Sequence, residues 1–538
     1  MCGILFTYLR DDEEVAIVRQ CFMRLAHRGP DHTGEFVGDG FFMGCHRLAI
    51  VQPDAAGNQP LHRDGSVIAC NGQIYNATSV NTSVNTRPLR SDVDAILNAF
   101  CDDTFASVDE LALALDGDFA FVVMHGGVLY AGRDPVGVRP LFYGLAADSD
   151  VPIAFASEAK ALAGLPHVTR VKVFPPGHVY TSGPPPGYTS GPPPGCTSGG
   201  TFRSYTDIYS PGLPLEELTD YDGAADAVRD AVVAAVIKRV ENSDRPIAFL
   251  CSGGLDSSIV LSVAHAYLTK QGRGQDLHAF SMQYGSSGDD AMYAGMLCTR
   301  LGVKLTRVAF EWADVEECIQ RVVTHVESYD PASIRTAVPA YLLAKHIREN
   351  TDYKVILSGE GADEVFEGYN MFMRATDGAV AALESQRLVK DLHMFDLLRA
   401  DRTFAAWGLE IRVPFLDIDL LRLAFRLPGE HKLFKDGVEK ALLRHAFRGD
   451  PDLLASRVLD RMKERFSDGC GFGYVPALLK HWAPDANTLR DRESAERAVY
   501  KAWFDESYPG WGHLLGSRNL AEWCGAGMGD ASDGLLLA

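Results

Sequence analysis

The pattern of the sequence changes near residue 213, and this change limits the chain to folds with two differently built parts. Up to about residue 180, short β-prone runs such as 40–51 and 119–124 are separated by Gly, Asn and Asp, which is typical of antiparallel sheets. Beyond 213, apolar strands alternate with helical stretches, which predicts a parallel sheet covered by helices. The chain of 538 residues also exceeds the roughly 250–300 residues that one core supports. We therefore expect two domains.

The changes in pattern also predict the boundaries. Residues 2–180 form the first domain, and residues 213–515 form the second, with a mostly helical C-terminal part. The interval 181–212 is predicted to be a Pro/Gly-rich repeat and linker, since the sequence YTSGPPPG starts at 180 and again at 188. Three consecutive prolines exclude helix and central strand, so we predict an exposed polyproline II loop. The glycine-rich residues 516–538 are predicted to be a loose tail.

Composition excludes several classes of partner. The net charge is −20, from 51 Lys and Arg against 71 Asp and Glu, which argues against binding to nucleic acid or to an anionic membrane surface. An anionic ligand would need a local site. Eleven cysteines without a Cys-x-x-Cys spacing indicate reduced thiols. We find neither a long apolar run nor a signal peptide, and therefore predict a cytoplasmic protein without membrane contact.

Cys2 is the first residue that points to chemistry. Removal of Met1 would make Cys2 N-terminal, and its own α-amine, with an ordinary pKa of about 7.7–8.0, could take the thiol proton directly or through water. The segments HRGPD at 27–31, HRLAIV at 46–51, NGQIYN at 71–76, SD at 91–92 and GRDP at 132–135 accompany it. Together with Cys2 they resemble the N-terminal-nucleophile glutamine amidotransferases. The resemblance implies an antiparallel αββα first domain that hydrolyses glutamine.

This resemblance implies a role for each matching residue. Cys2 is the nucleophile, and Asn71 with Gly72 supplies donors to the oxyanion. Arg47 suits the α-carboxylate of glutamine, and Asp92 suits its α-ammonium. The glutamine-binding set is Arg47, Leu48, Ala49, Ile50, Val51, Asn71, Gly72, Gln73 and Asp92. Gln73 replaces the family's Glu: contact through its backbone carbonyl would leave glutamine affinity unchanged, whereas contact through its side chain would weaken it.

In the second half, the sequence SGGLDS at 252–257 lies between an apolar strand and a helical run. A strand, a Gly-rich turn and a helix together cradle phosphates with backbone N–H groups and the helix dipole. The segment resembles the pyrophosphate loop of enzymes that cleave ATP between its α and β phosphates, which implies a nucleotide α-hydrolase fold. The implied ATP-binding residues are Leu250, Ser252, Gly253, Gly254, Asp256, Ser257, Met282, Ser358 and Gly359.

A second loop, SGEGADE at 358–364, follows another strand and should open at the same edge of the sheet. Asp256 and Asp363 can share Mg²⁺ with the pyrophosphate. The resemblance implies that Glu360 promotes adenylate formation and then handles the ammonia proton. It also places Lys463, in RMKERFSDG at 461–469, over the phosphates, where its cation would stabilise developing charge.

The acceptor segment narrows the resemblance to the asparagine synthetases. The segments ESYDPASIRT at 327–336 and WGLEIRVPFLD at 407–417 are similar to that family. For aspartate, Arg335 and Thr336 can meet the α-carboxylate, and Glu327 or Asp330 the ammonium. The implied enzyme is a carbon–nitrogen ligase that converts ATP, aspartate, glutamine and water to AMP, diphosphate, asparagine and glutamate through a β-aspartyl-adenylate. The resemblance also suggests a homodimer.

Three alternatives remain open at this point. One is an amidotransferase of the same scaffold that amidates another carboxylate, against which the acceptor segment argues. Another is a cyclase resembling the β-lactam synthetases, which would not need Cys2. The third is a silent binding protein that uses the proline repeat. Its catalytic residues should have degenerated, yet Cys2, Asp256, Glu360 and Lys463 are all present.

Overall fold

The computed structural model describes residues 1–84, 87–102, 104–147, 149–183, 200–206, 208–209, 215, 218–285, 289–375, 377–450, 453–461, 474–482 and 488–511. These residues form two compact units. The first unit comprises Met1–Asp207, Phe404–Glu410 and the described residues of Phe504–Gly516. The described residues of the second lie within Ile208–Thr403 and Ile411–Trp503.

The part of the chain before residue 208 contains twelve strands and five α-helices among its described residues. The strands are β1 Gly3–Tyr8, β2 His32–Gly38, β3 Phe41–Arg47, β4 Leu61–Arg63, β5 Ser66–Ile74, β6 Gly117–His125, β7 Val128–Arg133, β8 Phe142–Leu145, β9 Pro152–Ala156, β10 Arg170–Val173, β11 His178–Thr181 and β12 Thr201–Ser204. The helices are α1 Glu14–Met23, α2 Ala77–Val84, α3 Asp94–Cys101, α4 Val108–Ala114 and α5 Ala159–Leu162.

Two antiparallel six-stranded sheets form the centre of the first unit. Their strand orders are β10-β8-β9-β1-β3-β2 and β12-β11-β7-β6-β5-β4. Successive side chains of a strand point to opposite faces, so neighbouring residues enter different layers. Val67 of β5 shares a core with Phe6 of the other sheet, whereas Ile68 packs with Leu97 of α3 and Leu111 of α4. The two sheets therefore stack face to face.

Helices cover the outer faces of both sheets. Phe42 of β3 packs on Phe22 of α1, with ring centroids 5.7 Å apart, and α5 contacts β9. Helices α2 to α4 cover the other sheet through the cluster that contains Ile68 and Leu97. This arrangement confirms the predicted αββα layering.

The second half contains five strands and thirteen α-helices among the described residues. The strands are β13 Ile247–Leu250, β14 His278–Tyr284, β15 Lys304–Phe310, β16 Val355–Leu357 and β17 Glu410–Arg412. The helices are α6 Tyr221–Glu241, α7 Leu255–Lys270, α8 Asp289–Leu301, α9 Trp312–Val326, α10 Pro331–Asn350, α11 Ala362–Val365, α12 Gly378–Asp391, α13 Asp396–Ala405, α14 Ile418–Ala424, α15 Ala441–Arg448, α16 Ser456–Leu459, α17 Tyr474–Trp482 and α18 Leu489–Ser507.

A five-stranded sheet of order β15-β14-β13-β16-β17 organises the second half. Strands β13 to β16 run parallel, and the helices that connect them cover the sheet, as the strand–helix alternation predicts. β13 and β16 are neighbours, so the loops that follow Leu250 and Leu357 emerge side by side at the carboxyl edge. From α12 onward the described residues are mostly helical. The fold class predicted from the sequence is thus confirmed.

The predicted linker begins inside a strand. Tyr180, the first residue of the repeat, belongs to β11 and is buried in the core between the sheets. Residues 201–204 form β12 and pair with β11. Residues 184–199, which hold most of the repeat, and the tail from 516 lie outside the described residues.

The eight cysteines in the described part of the chain are free thiols. Within the same residues, every helix is too short or too polar to cross a bilayer.

A buried ion pair lies in the second unit. The Nζ atom of Lys432 lies 3.4 Å from Oε1 of Glu367, and neither side chain is exposed to solvent. Burial raises the pKa of Glu367 and lowers that of Lys432, and each charge opposes the shift of the other. Glu367 also has a φ of 56°, so its backbone adopts the left-handed conformation.

Lys432→Met is expected to destabilise the second unit by about 3–5 kcal/mol, because it leaves the buried carboxylate of Glu367 without its cation. Chemical denaturation followed by tryptophan fluorescence measures this loss. The double variant K432M/E367Q removes both charges and should recover part of the stability. If K432M unfolds at the wild-type denaturant concentration, the pair does not contribute as described.

Candidate active sites

The first candidate site is a pocket in the first unit, beside the start of β1, with about 390 Å³ of open space. Among the predicted glutamine-binding residues, its lining includes Arg47, Leu48, Ile50, Val51, Gly72, Gln73 and Asp92. Cys2 lines it as well, and Asn71 contacts Cys2 directly. The backbone N–H of Ala49 donates to Oδ2 of Asp31 at 2.7 Å, which ties the segment after β3 to the segment before β2. The structure therefore brings the sequence-predicted set together.

Asn71 holds the backbone of Cys2 and leaves its own amide group available. The backbone nitrogen of Cys2 lies 2.8 Å from Oδ1 of Asn71, which fixes the orientation of the side chain. The Nδ2 atom of Asn71 is buried and has no hydrogen-bond partner among the described residues. A buried donor without a partner costs free energy unless a ligand accepts its hydrogen bond. Its position beside a thiol suits a developing oxyanion.

The thiol of Cys2 shares a buried cluster with Cys45 of β3. Hydrogen bonding with Cys45 lowers the pKa of Cys2 to about 6 although burial opposes the shift, and the α-ammonium group of Met1 and a backbone hydrogen bond from Leu48 add to the lowering. A lowered pKa favours the thiolate, which is the nucleophilic form.

The main chain of Cys2 is held by buried side chains of the first unit. The Nε atom of Arg28 donates to the Cys2 carbonyl at 2.9 Å. Nη1 of the same guanidinium lies 2.7 Å from Glu158, with both side chains fully buried. This ion pair fixes the residue that carries the thiol.

Met1 precedes Cys2 and lines the same pocket. Its α-ammonium group lies 3.3 Å from Oε2 of Glu410, and burial lowers the pKa of this ammonium group, against the attraction of Glu410. Removal of Met1, as the sequence predicts, would vacate this part of the pocket and leave the α-amine of Cys2 at the chain terminus.

Arg47 shapes the loop on one wall of the pocket. Its Nη1 atom donates to the Asp54 carbonyl at 2.7 Å and its Nη2 atom to the Val51 carbonyl at 3.0 Å. A Cβ atom on Gly57 would lie 2.1 Å from Nη2, so only glycine allows this approach. With further bonds to Oδ1 of Asn58 and to the Gln52 carbonyl, the terminal nitrogens of the guanidinium are held rigidly in the lining of the pocket. The binding of a substrate carboxylate by Arg47 stays a prediction.

Gln73 and Asp92 lie together in the lining of the pocket. The Nε2 atom of Gln73 donates to Oδ2 of Asp92 at 3.0 Å, and the backbone of Ile74 donates to the same oxygen at 2.8 Å. The Gln73 side chain therefore contacts the carboxylate predicted to bind the substrate ammonium.

The second candidate site begins at the loop after β13. Gly253 has a φ of 73°, and a Cβ atom there would lie 2.5 Å from the backbone nitrogen of Ala294. Gly254 is the N-cap of α7, a helix of 16 residues. The hydroxyls of Ser252 and Ser257 lie 3.2 Å apart across the turn. This strand–turn–helix arrangement is the one the sequence predicts for phosphate binding.

The second loop packs directly on the first. A Cβ atom on Gly359 would lie 2.7 Å from the backbone nitrogen of Ser257 and 2.9 Å from the carbonyl carbon of Asp256. Leu250 ends β13, and Met282 lies in the neighbouring strand β14. The predicted ATP-binding residues thus converge at one edge of the sheet.

The two carboxylates predicted to bind Mg²⁺ converge on a lysine that has no motif of its own. Nζ of Lys440 lies 2.5 Å from Oδ2 of Asp256 and 2.7 Å from Oδ1 of Asp363. These carboxylates raise the pKa of Lys440, although burial opposes them. Groups of three or more potential protein metal ligands do not occur in the described residues. Two carboxylates nevertheless fit Mg²⁺, which takes its other ligands from water and phosphate.

Glu360 lies beside this pair of loops. Its Oε1 atom accepts a hydrogen bond from Nη2 of Arg399 at 2.8 Å, and the same nitrogen lies 3.1 Å from Asp396. Burial raises the pKa of Glu360, whereas the charge of Arg399 lowers it. The carboxylate is therefore oriented by a cation and suited to accept a proton near the loops.

The predicted aspartate-binding residues have partners of their own in the second unit. Glu327 pairs with Arg402 at 2.9 Å, and the Asp330 side chain caps α10. Arg335 lies 2.6 Å from Glu496. The hydroxyl of Thr336 donates to carbonyls of its own helix. Their binding roles stay predictions.

Lys463 lies outside the described residues. Arg461, two positions earlier, donates to the Ser252 carbonyl at 3.2 Å and pairs with Asp290 at 2.5 Å. It brings the start of this predicted motif to the phosphate loop. Sequence reasoning assigned no role to Arg461, Lys440, Arg399 or Cys45, although an Arg within the quoted motif was an available signal.

Comparisons with known proteins cover both units. The family model "Asparagine synthase" matches residues 227–389 and 378–523, and "Glutamine amidotransferase domain" matches residues 1–174. Asparagine synthetase [glutamine-hydrolyzing] 3 of Arabidopsis thaliana is 35% identical over 501 residues, 89% of this chain and 81% of its own. The enzyme of that name from Sandersonia aurantiaca is 34% identical over 498 residues, 90% of each chain. A probable asparagine synthetase of Dictyostelium discoideum is 33% identical over 558 residues, 95% of this chain and 94% of its own.

Proposed function

Because the chain belongs to the glutamine-hydrolysing asparagine synthetase family, we propose that it makes asparagine from aspartate, with glutamine as the nitrogen donor and ATP as the energy source. The observation that carries the proposal is the hydrogen bond from the backbone nitrogen of Cys2 to Oδ1 of Asn71, whose buried Nδ2 atom has no hydrogen-bond partner among the described residues. A nucleophile and an oxyanion donor in one pocket are what amide hydrolysis requires.

In the glutaminase reaction, the Cys2 thiolate attacks the carboxamide carbon of glutamine. Nδ2 of Asn71 donates to the oxyanion, Arg47 binds the α-carboxylate and Asp92 the α-ammonium. The α-amine of Cys2, which took up the thiol proton, donates it to the amide nitrogen, so that the C–N bond breaks, ammonia leaves and a thioester forms. Water then hydrolyses the thioester to glutamate and restores Cys2.

In the synthetase reaction, the β-carboxylate of aspartate attacks the α-phosphorus of ATP, and diphosphate leaves. The turn containing Ser252 and the N-terminus of α7 hold the phosphates. Ammonia then attacks the β-aspartyl-adenylate, Glu360 accepts the surplus proton, and AMP leaves. A bound Mg²⁺, held by Asp256 and Asp363, would neutralise phosphate charge. Lys463 adds a cation at the phosphates in this proposal.

The acceptor decides between asparagine synthesis and amidation of another carboxylate. The experiment measures AMP, diphosphate and the amide product with aspartate, glutamate, N-acetylaspartate or β-alanine as acceptor. Aspartate is expected to be preferred by several hundredfold or more, since an analogue without one charged group loses the charge-assisted hydrogen bonds that a specific pocket makes to that group. Equal rates with glutamate or N-acetylaspartate would favour the other amidotransferase hypothesis. The homodimer and the cytoplasmic location stay predictions.

Gln73→Glu is expected to lower the KM for glutamine about tenfold. In the variant, the new carboxylate and that of Asp92 would both attract the substrate ammonium. Binding of the ammonium would also relieve the repulsion between the two carboxylates. A tenfold change in affinity corresponds to about 1.4 kcal/mol. Glutaminase assays with glutamine and with its analogue that lacks the α-amine measure the effect. The affinity for glutamine should rise, whereas the affinity for the analogue without the α-amine should not.

Gln73→Met is the matched control, because it keeps the size of the side chain and adds no charge. It should not lower the KM. An unchanged or higher KM in Gln73→Glu, with a normal kcat, would show that the side chain at position 73 does not help bind the ammonium.

A further inference from the structure

A second cysteine shares a buried cluster with Cys2, the nucleophile that lines the glutaminase pocket. Cys2 precedes β1, while Cys45 lies in β3 and Cys70 in β5, both fully buried. Cys2 and Cys45 belong to the core between the two sheets, whereas Cys70 packs with the helices on the other face of its sheet. Cys45 is thus the second thiol on the same side of the sheet as the nucleophile.

The hydrolysis of glutamine does not require a second thiol. Asn71 supplies a donor to the oxyanion, and Arg47 and Asp92 bind the two charged ends of the substrate. Cys2 is meanwhile exposed to a particular hazard, because a thiolate in a pocket that admits small molecules reacts with peroxides. A neighbouring thiol determines whether that oxidation can be reversed.

We propose that Cys45 is a resolving cysteine, which converts peroxide-oxidised Cys2 into a reversible Cys2–Cys45 disulfide. In the first step, the Cys2 thiolate attacks one oxygen of hydrogen peroxide, the O–O bond breaks, and the departing hydroxide takes up one proton, which yields Cys2 sulfenic acid and water. In the second, the Cys45 sulfur attacks the Cys2 sulfur, the S–O bond breaks, and the Cys45 proton leaves with the hydroxide as water. The two thiols lose two electrons and peroxide gains them.

The strand register places the two side chains on the same side of the sheet. Ile4 lies opposite Cys45 in the antiparallel β1–β3 pair, so Cys2, two residues before Ile4, faces the same side and is the diagonal neighbour of Cys45. Diagonal Cα atoms are about 7–8 Å apart and a disulfide needs about 4.4–6.8 Å, so Cys2 must move toward β3 when the bond forms. Once Met1 is removed, Cys2 is tethered through Gly3 and through its main-chain hydrogen bonds to Asn71 and Arg28, and these two bonds must lengthen as the disulfide closes.

The electrostatics also favour this order of events. Cys2 has the lowered pKa and reacts first, while the hydrogen bond and charge of the Cys2 thiolate help hold the pKa of Cys45 well above its ordinary value. Oxidation of Cys2 removes that negative charge. Cys45 then loses its proton more easily than before, at the moment when its sulfur is needed as the nucleophile.

The consequence for activity rests on the proposed function. A disulfide at Cys2 blocks attack on glutamine, so glutamine-dependent synthesis stops, whereas synthesis from ammonium salts continues. Reduction by a thiol returns Cys2 to its active form. Without Cys45, the sulfenic acid would remain exposed to further peroxide and pass to the sulfinic acid, which thiols do not reduce.

The test compares the mature full-length protein with its Cys45→Ser and Cys70→Ser variants. Each is treated with hydrogen peroxide and then with dithiothreitol, and its glutaminase rate is divided by the rate of the same untreated variant. Wild type and Cys70→Ser are expected to recover most of their activity. Cys45→Ser should recover at least about tenfold less, because its Cys2 is overoxidised.

Peptide mass analysis of the oxidised wild type supplies a readout that needs no activity. It should find Cys2 joined to Cys45 with the loss of two hydrogens, and in Cys45→Ser it should find Cys2 with added oxygens. Full recovery of Cys45→Ser, or a wild type joined through Cys70, would overturn the proposal. A disulfide that forms in a protein without glutaminase activity would refute the proposed function and leave this inference intact.

Discussion

Replacing Cys2 with Ala is expected to lower glutamine-dependent asparagine formation by at least about 10³-fold, because the nucleophile of glutamine hydrolysis is lost. Synthesis from saturating ammonium chloride should stay within about twofold of wild type. Asn71 and the substrate-binding residues remain in Cys2→Ala, so glutamine still binds and its amide bond is not cleaved. The variant therefore separates the ammonia source from the ammonia acceptor.

Parallel assays of glutamate, asparagine and diphosphate, with glutamine or ammonium chloride as donor, measure this separation. Cys21→Ala is the matched control, since Cys21 is a buried thiol of α1 that does not line the pocket. It should retain both activities. Loss of ammonia-dependent synthesis in a folded Cys2→Ala protein would contradict two separate sites, and retention of glutamine hydrolysis would exclude Cys2 as the nucleophile.

Short motifs brought most of the predicted glutamine-binding residues into one pocket because neighbouring residues in a strand or loop share one location. Residues 47–51 continue from β3 into the pocket wall, and Asn71, Gly72 and Gln73 follow one another in β5. A match to such a segment therefore places several side chains at once. The layering of the first domain could also be predicted from local sequence. In β5, successive side chains point to opposite faces, and this alternation decides which residues face the other sheet.

The partners of these motifs could not be predicted, because they come from distant parts of the chain. Lys440 reaches Asp256 across 184 positions, and Arg335 pairs with Glu496 across 161. The contact between Cys2 and Cys45 depends on strand order and register. A single sequence shows no periodic signal for such pairs. The prediction of a linker over 181–212 missed β12 for a related reason. A strand of only four residues is recognised mainly by its pairing, here with β11.

The acceptor segment shows a further limit of local interpretation. Its charged side chains were assigned to aspartate from their chemistry alone, and in the structure those charges meet Arg402 and Glu496. A charge that complements a substrate equally complements another side chain. Only the folded chain shows which charges already have partners. The panel of acceptor substrates therefore tests the acceptor-binding roles.

Glu360→Gln is expected to lower ammonia-dependent asparagine formation, and with it the steady-state release of diphosphate, by about 10²–10⁴-fold and to leave glutamine hydrolysis unchanged. Glutamine keeps the size of the side chain, and its carbonyl can still accept the hydrogen bond from Arg399. It cannot take up a proton or carry negative charge. The variant therefore tests the chemistry of the carboxylate separately from its packing.

The pH dependence supplies an independent readout for the same residue. Burial raises the pKa of Glu360 above its ordinary value of about 4.3, so the active carboxylate form is lost on acidification at a higher pH than for an exposed Glu. The acid limb of ammonia-dependent synthesis should follow this raised pKa in the wild type. The pH profile of the residual activity of Glu360→Gln should lack the part of the acid limb that comes from protonation of Glu360.

Arg399→Lys distinguishes a proton acceptor from a residue that only holds the loop. Lysine keeps the positive charge beside Glu360 but loses the planar fork that lies between Glu360 and Asp396. If Glu360 acts as the base, weaker pairing should move the acid limb to higher pH while synthesis persists, because the opposing charge is what limits the rise of the pKa. If Glu360 acts only through packing, Glu360→Gln should release diphosphate within a few-fold of the wild-type rate, and its pH profile should keep the acid limb unchanged.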